Sequence, residues 1–493
     1  MSKNLRTLYA SVDFTDPESI EAYAKNLEGM TFRDVLNLGI MPEGGGHDYN
    51  RKSYKGSLGT LIEERFFGYS ANSTSAADFP KAGVELKSTP FNRKKNGDIS
   101  AGERLVLSMI PFGDSIEDNF NKSHVWEKCR RILLVYYERD KSIEHLDQRI
   151  HYVWLFTPPE EDLAIIRADY KKIVELIQAG RADELSESMT TYLGACTKGA
   201  TAESSVRSQY YAPDKPAKGR AFALKRQYMD SVLHHHIQGT VAAESIIKDS
   251  SVLKEATFED YVLSRINEHV GKTDRELCDM LGIPFAGNKR QWSQIAYALL
   301  GVRGERAEEF EKANISVRTV RIEEGGGVRE SLSLDTFEFN GLLEEEWDNA
   351  ALHDYFEETR FLFISFQKEN GLPDGAAVRL AGARFWSMPR ADIDGPLRDC
   401  WEKARSVIRE GVEFLPQHGA DGSLMRVENN LPKASENPVA HVRPHATRAA
   451  YVFADGTVQG NPARNAFPLP DGRMMTKQSF WLNNRYVYNI VKW

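Results

Sequence analysis

Hydrophobic and polar positions follow two different periods in the first half of the chain. Short runs rich in β-branched or aromatic residues predict strands at residues 83–91, 104–110, 131–138 and 150–156. Apolar positions at helical spacing predict helices at residues 59–68 and 162–180, which end at Gly68 and Gly180. Residues 219–237 begin with a basic strand or turn that leads into a further helix. This mixture predicts an α/β fold.

The same pattern returns in the second half of the chain. Residues 81–89 lie over residues 312–320, and residues 131–140 lie over residues 360–369. Residues 158–180 match 389–411, and residues 220–228 match 478–486. Because these blocks keep their order, we interpret the chain as a tandem duplication of one domain. We predict a first domain at residues 1–238, a linker at 239–255 and a second domain at 256–493.

The stretch DFPKAGVELKSTP, residues 78–90, combines two acids with a lysine. On a strand, Glu85 and Lys87 share one face while the intervening residue points into the core. Asp78, in an adjoining loop, can then approach Glu85, and Glu63 on the preceding helix would add a third carboxylate. Two or three carboxylates suit Mg²⁺, and a nearby lysine suits phosphodiester hydrolysis. The same spacing also fits a solvated strand face, so by itself it leaves both interpretations open.

The second copy separates these two interpretations. Its equivalent positions are Ala296 for Glu63, Glu309 for Asp78, Ser316 for Glu85 and Arg318 for Lys87. The hydrophobic positions of the strand persist, whereas two of the three acids are replaced. A strand needed only for the fold would not require the acids. We therefore predict a catalytic site in the first copy alone. The second copy is then expected to bind without cutting.

Composition and charge limit the class of protein. The net charge is −8, yet residues 213–227 carry five basic residues against one acid, and residues 51–55, 92–95 and 128–131 are also basic. A local basic patch on an acidic protein favours a specific DNA binder over a general one. The sequence contains no apolar stretch of membrane-spanning length and no secretory signal at its start, which predicts no membrane contact. The four cysteines lie far apart, which indicates a reducing compartment.

Several blocks together resemble a known family. The blocks KGSLGTLIEERFFG, DFPKAGVELKSTP, TKGA, GRAFALKRQYM, HVRPH and TKQSFWLNN resemble the MutH family of GATC-specific DNA endonucleases, and in particular its two-domain, Sau-type type II restriction endonucleases. The resemblance covers nearly the whole chain. It implies two copies of a restriction-endonuclease-like fold, each with a mixed central sheet flanked by helices. Glu63, Asp78, Glu85 and Lys87 would be the catalytic residues, with the three acids as Mg²⁺ ligands.

The resemblance also implies a substrate and partners. It implies double-strand cleavage of DNA at GATC in the bacterial cytoplasm, with a cognate methyltransferase as genetic partner. The second copy would bind another GATC site as an effector, so that a protein that is a monomer in isolation would pair or loop on DNA. In the first copy the expected DNA contacts are Lys55, Lys198, Arg207, Arg220, Lys225 and Arg226. In the second copy they are Arg443, His445, Lys477, Gln478 and Asn483.

Two other functions stay open at this stage. The first is a mismatch-repair endonuclease that nicks one strand, against which the duplicated architecture argues. The second is a regulator that binds GATC without cutting, against which the retained acids of the first copy argue.

Overall fold

A computed structural model of the protein describes residues 2–38, 49, 57–70, 76–198, 205–239, 243–372, 375–420 and 424–492. The chain divides into two compact units. The first comprises Met1–Phe258 with Ala307–Asn314, and the second comprises Glu259–Arg306 with Ile315–Trp493. Residues Ala307–Asn314 thus belong to the first unit although they lie beyond the predicted linker. The domain boundaries proposed from the sequence stay a prediction.

The first unit is built around a mixed sheet. Its strand order is β2-β1-β4-β5, with β1 parallel to β4 and β4 antiparallel to β5; a second sheet has the order β3-β9-β6. The helices are α1 (Ser2–Ser11), α2 (Pro17–Ala24), α3 (Phe32–Leu36), α4 (Ser57–Leu61), α5 (His124–Cys129), α6 (Glu160–Gln178) and α7 (Arg226–Gln238). The strands are β1 (Glu85–Arg93), β2 (Ile99–Ala101), β3 (Leu105–Met109), β4 (Ile132–Glu138), β5 (Arg149–Phe156), β6 (Leu193–Thr197), β7 (Val206–Arg207), β8 (Ala217–Lys218) and β9 (Arg220–Leu224).

Strand β4 shows why this sheet forms. Its sequence is almost continuously apolar, as expected for a strand that is covered on both faces. Leu133 and Val135 pack into one core with Ile20 of α2 and Leu61 of α4. A π-helical turn, Ile62–Phe66, continues α4 towards the start of β1.

The second unit repeats this arrangement. One sheet has the order β10-β12-β13, again with a parallel pair followed by an antiparallel pair, and another has the order β11-β21-β16. The helices are α8 (Phe258–Asn267), α9 (Asp274–Leu281), α10 (Lys289–Leu299), α11 (Glu308–Ala313, in the first unit), α12 (Phe339–Glu344), α13 (Ala351–Glu358), α14 (Arg390–Asp392), α15 (Arg398–Glu410), α16 (Pro462–Asn465) and α17 (Asn484–Val491). The strands are β10 (Ile315–Ile322), β11 (Leu332–Phe337), β12 (Arg360–Lys368), β13 (Val378–Trp386), β14 (Phe414–His418), β15 (Leu424–Asn429), β16 (Ala440–Pro444), β17 (Tyr451–Val452), β18 (Val458–Gln459), β19 (Ala466–Pro468), β20 (Met474–Thr476) and β21 (Gln478–Leu482).

Strand register aligns the two units residue by residue. Glu85 of β1 lies opposite Ile132 of β4, and Ser316 of β10 lies opposite Phe361 of β12. The sequence repeat likewise places Ile132 over Phe361, so Ser316 occupies the structural position of Glu85. The predicted α/β fold with a mixed sheet in each copy is confirmed.

The helix ends before these strands also agree. Gly68 and Gly301 have φ values of +73° and +77°, the left-handed conformation that glycine adopts at a helix end. Of the residues described, none belongs to a helix long and apolar enough to cross a membrane.

Candidate active site

The first strand of the mixed sheet places Glu85 and Lys87 side by side. Glu85 is 1% exposed, and its Oε1 lies 2.7 Å from Lys87 Nζ. The residue between them, Leu86, points the other way into the hydrophobic core. The predicted alternation is therefore present, and the face with Glu85 is buried within the protein rather than solvated.

Asp78 reaches the same strand through a tight loop. Phe79 pairs with Val84, which folds the chain back on itself before β1. This turn brings Asp78 Oδ2 to 2.8 Å from the Leu86 main-chain N–H, from which it accepts a hydrogen bond. The spacing between Asp78 and Glu85 in the sequence therefore corresponds to the length of this loop. Gly83, with φ +61°, closes the turn where a Cβ atom would meet the Arg130 guanidinium at 2.4 Å.

The three acids share one electrostatic environment. Burial and the charge of Asp78 raise the pKa of Glu63, on the π-helical turn, to about 7. Burial and the charge of Glu85 raise the pKa of Asp78 to about 6. A carboxylate that raises the pKa of another lies near it, and such sites favour a cation. The structure therefore brings Glu63, Asp78, Glu85 and Lys87 together.

A second lysine belongs to this group and was not predicted. Lys128, at the end of α5, donates a hydrogen bond to Glu85 Oε1 at 3.0 Å. Its side chain is 14% exposed. The sequence indicates Lys128 only as part of a basic cluster, because Lys128 comes close to Glu85 only through the parallel pairing of β1 with β4. In the second unit the equivalent position, four residues before Phe361, is Glu357, which pairs with Arg390.

The donor set can be tested against a divalent metal ion. Among the described residues, no three His, Cys, Asp or Glu side chains are already gathered around one point. Glu85 Oε2, however, is buried without a hydrogen-bond partner in the described part of the chain. Mg²⁺ commonly takes only one or two protein carboxylates and completes its shell with water and substrate phosphate. The hard oxygen donors and the unpaired Glu85 oxygen fit such an ion.

The DNA-binding residues predicted in the first unit separate into two groups. Lys198 and Arg207 are exposed and Arg226 is half-buried, so all three remain candidates, whereas Lys55 lies outside the described residues. The other two, Arg220 and Lys225, are only 2% and 1% exposed.

The two buried cations are bound within the fold. Arg220 donates to the Ala195 carbonyl at 2.5 Å. Lys225 donates to the Thr190 carbonyl at 2.6 Å and to the Ala313 carbonyl at 3.3 Å. Their assignment to DNA is corrected, because their charged groups stabilise main-chain carbonyls inside the unit.

The second unit shows the same division. Arg443 and His445 are exposed, with the Arg443 guanidinium 4.5 Å from the centre of the Trp481 ring. Lys477 is half-buried, with Nζ 4.7 Å from the centre of the Phe467 ring. These three cationic or imidazole groups remain candidates for DNA contact.

Gln478 and Asn483 are corrected for the same reason as the two buried cations. They are 0% and 5% exposed, respectively. Gln478 donates to the Thr476 carbonyl at 2.8 Å, and Asn483 donates to the Asn437 carbonyl at 2.6 Å. Asn483 precedes α17 as Lys225 precedes α7, so both copies place a buried side chain that donates to a main-chain carbonyl at this helix start.

The positions equivalent to the acids have other roles in the second copy. Ala296 is fully buried in α10, and burial raises the pKa of Tyr355 of α13 while the charge of Arg318 opposes that rise. Glu309, within the first unit, accepts from the Ile246 and Ile247 main-chain N–H groups at 2.8 and 2.9 Å. The second copy has therefore lost the acid cluster, and its retained glutamate, Glu309, accepts hydrogen bonds from main-chain N–H groups instead.

Known proteins resemble the chain over different lengths. The family described as "DNA mismatch repair enzyme MutH" matches residues 67–169. The type II restriction enzyme Sau3AI of Staphylococcus aureus is 35% identical over 484 residues, which are 93% of this chain and 96% of that enzyme. The DNA mismatch repair protein MutH of Vibrio campbellii is 29% identical over 217 residues, 43% of this chain and 91% of that protein. Its Escherichia coli counterpart is 27% identical over 225 residues, 44% of this chain and 92% of that protein. These similarities confirm the resemblance seen in the sequence blocks.

Proposed function

The chain belongs to the family of type II restriction enzymes that includes its Staphylococcus aureus relative, and we propose that it makes Mg²⁺-dependent double-strand cuts at 5′-GATC-3′. Membership makes it a DNA-cleaving hydrolase. The observation that carries the proposal is the group of Glu63, Asp78, Glu85 and Lys87 around the start of β1, in which Glu85 is buried and the other three are half-buried; the second copy has no equivalent acids. The choice of GATC is supported by the resemblance to the MutH blocks.

In this proposal Asp78 and Glu85 hold the metal ion, with Glu63 as a third carboxylate. When bound, Mg²⁺ would neutralise phosphate charge and lower the pKa of a coordinated water. Lys87 and Lys128 both contact Glu85 Oε1, which leaves Oε2 for the metal. The two lysines also place positive charge beside the position at which the phosphodiester would develop negative charge.

Digestion of a plasmid tests the reaction directly. The protein with Mg²⁺ is expected to convert supercoiled plasmid to linear fragments whose sequenced ends map to GATC. Glu85→Gln is expected to abolish cutting while DNA binding persists. Ser316→Ala, at the equivalent position of the second copy, is the matched control and is expected to cut normally. Ends at other sequences, or cutting by Glu85→Gln, would contradict the proposal.

We further propose that the second unit binds another GATC site as an allosteric effector, with DNA looped or two monomers paired. Exposed Arg443 and His445 in a unit without the acid cluster support this role. Plasmids with two GATC sites should be cut faster than plasmids with one, and an added GATC oligonucleotide should rescue the one-site plasmid. Equal rates without rescue would refute the effector role.

The similarity to MutH proteins leaves a mismatch-repair nicking enzyme as the alternative to be tested. A mismatch-repair nicking enzyme would leave open circles, whereas the proposed enzyme linearises plasmid through cuts in both strands. Within a bacterial cytoplasm, where we place the enzyme, double-strand cutting would require a cognate methyltransferase that protects host GATC sites. Loss of host viability when the protein is expressed without that methyltransferase is the expected outcome.

A further inference from the structure

Tyr69 places a buried hydroxyl beside the acid cluster. Its Oη is buried and has no hydrogen-bond partner among the residues that the structure describes. Burial, and after it the charges of Asp78, Glu63 and Glu85, raise the pKa of Tyr69 well above its usual value. The phenol therefore keeps its proton at neutral pH and is a hydrogen-bond donor within the electrostatic reach of three acids. A buried donor without an acceptor costs free energy, so its presence calls for a function.

The ring of Tyr69 is held in a defined place. It packs edge-on against Phe79, with ring centres 5.5 Å apart, and contacts Phe67 at 6.5 Å. The Tyr69 main-chain N–H donates to the Glu63 carbonyl at 3.1 Å, which ties the tyrosine to the turn that carries an acid of the cluster. These contacts use the ring and the main chain, and they do not require the hydroxyl.

The second copy supports this separation of ring and hydroxyl. Gly68 aligns with Gly301, so Tyr69 aligns with Val302, which is 2% exposed. The fold therefore accepts an apolar side chain at this position. The hydroxyl occurs in the copy that has the acids and is missing at the equivalent position of the copy that has lost them. This is the same contrast that distinguishes Glu63 from Ala296.

We propose that Tyr69 is a positioning residue of the endonuclease, whose hydroxyl donates a hydrogen bond to the water that attacks the scissile phosphodiester. Because Oη is buried, its hydrogen-bond partner must be small, and a water molecule is much smaller than a phosphate of the DNA backbone. In the reaction the water oxygen bonds to phosphorus while the bond from phosphorus to the leaving oxygen breaks. One water proton passes to a base, the leaving oxygen takes a proton from solvent, and Tyr69 keeps its own. This role rests on the proposed cleavage function.

The test is Tyr69→Phe in the full-length protein, which keeps the ring and removes the hydroxyl. Single-turnover cleavage of a GATC plasmid at saturating Mg²⁺ should slow about 5- to 10-fold, as expected for one lost neutral hydrogen bond in the transition state. The KM for DNA and the Mg²⁺ concentration for half-maximal rate should not change. Tyr192→Phe is the matched control and should cut normally, because the Tyr192 hydroxyl is likewise buried without a partner among the described residues but lies near other acids, Asp162 among them.

Each outcome decides the proposal. If Tyr69→Phe cuts as fast as the wild type, or slows no more than Tyr192→Phe, the hydroxyl has no role in positioning water. If the variant only needs more Mg²⁺ and then reaches the wild-type rate, the hydroxyl serves the metal-holding acids, and the proposal is overturned. If the wild type itself leaves GATC plasmid uncut, the proposed function fails first, and this role falls with it.

Discussion

Asp78→Asn should make the metal-free protein more stable while it abolishes cleavage. The side chain lies near Glu63 and Glu85, and its pKa of about 6 exceeds the ordinary value of 3.8 because burial and Glu85 disfavour its charge. The folded protein therefore binds this proton more tightly than the unfolded chain does. Stability is gained as the pH falls through about 6 towards 3.8, and it is lost as the pH rises through that range. At pH 8 the ionised Asp78 thus destabilises the metal-free protein.

The size of the effect follows from that shift. The difference between the two pKa values corresponds to about 3 kcal/mol at most, since each pKa unit is about 1.4 kcal/mol. Partial solvent access and the coupling of the acids reduce this to roughly 1–2 kcal/mol. Asparagine keeps an oxygen that can accept from the Leu86 N–H, so the main hydrogen bond of Asp78 is retained. The gain corresponds to roughly 3–6 °C in Tm for a unit of this size.

Thermal unfolding in EDTA at pH 8 and at pH 5 measures this effect. Asp78→Asn should melt above the wild type at pH 8 and close to it at pH 5, where the wild-type carboxyl is largely protonated. Added Mg²⁺ should raise the Tm of the wild type more than that of the variant. Asp140→Asn is the control, because hydrogen bonds with Ser142 lower the pKa of that exposed carboxyl, so its loss should not stabilise. A variant that melts at or below the wild-type temperature at pH 8 without metal would refute the reasoning.

Other changes give further expected outcomes. Lys128→Met should lower the cleavage rate by about 10-fold or more, because Glu85 loses a cation that contacts it. Lys122→Met, on the exposed surface, should leave the rate unchanged. Equal cleavage rates for Lys128→Met and the wild type would exclude a role for Lys128. Lys225→Ala should destabilise the protein by about 2–4 kcal/mol in urea unfolding, because its Nζ bonds two buried carbonyls. Lys198→Ala should instead change stability by less than about 0.5 kcal/mol, and it should weaken DNA binding and reduce the salt dependence of that binding. A stability loss as large as that of Lys225→Ala would contradict the assignment of Lys198 to the surface.

The frame of the fold was predictable because it depends on local pattern. In β1 and β10 the apolar positions alternate with the site positions, and this alternation alone places Val84 and Leu86 away from Glu85. The repeat then predicts the register, since Ile132 and Phe361 occupy equivalent places in the neighbouring strands. Both levels use information that lies within a few residues or within a collinear match.

Tertiary position explains what the sequence could not show. A basic run such as the one around Lys225 indicates a charged surface, yet the fold turns Lys225 inward, where its ammonium meets main-chain carbonyls. Lys128 is distant from Glu85 in sequence, and only the parallel pairing of β1 with β4 makes them neighbours. Neither arrangement leaves a periodic signal, because each depends on which strands pair.

Comparison of the two copies separates the requirements of the fold from those of chemistry. Where the fold needs a group, both copies supply it even with different residues: Lys225 and Asn483 immediately precede their helices, and the side chain of each donates to a main-chain carbonyl. Where only chemistry needs a group, the second copy keeps the packing and discards the polar atoms, as at Ala296, or reverses the charge, as at Glu357. Tyr69 follows the second rule, since Val302 fills the same place without a hydroxyl. By this criterion Tyr69 and Lys128 belong with the proposed catalytic acids, and Arg220 and Lys225 belong with the core.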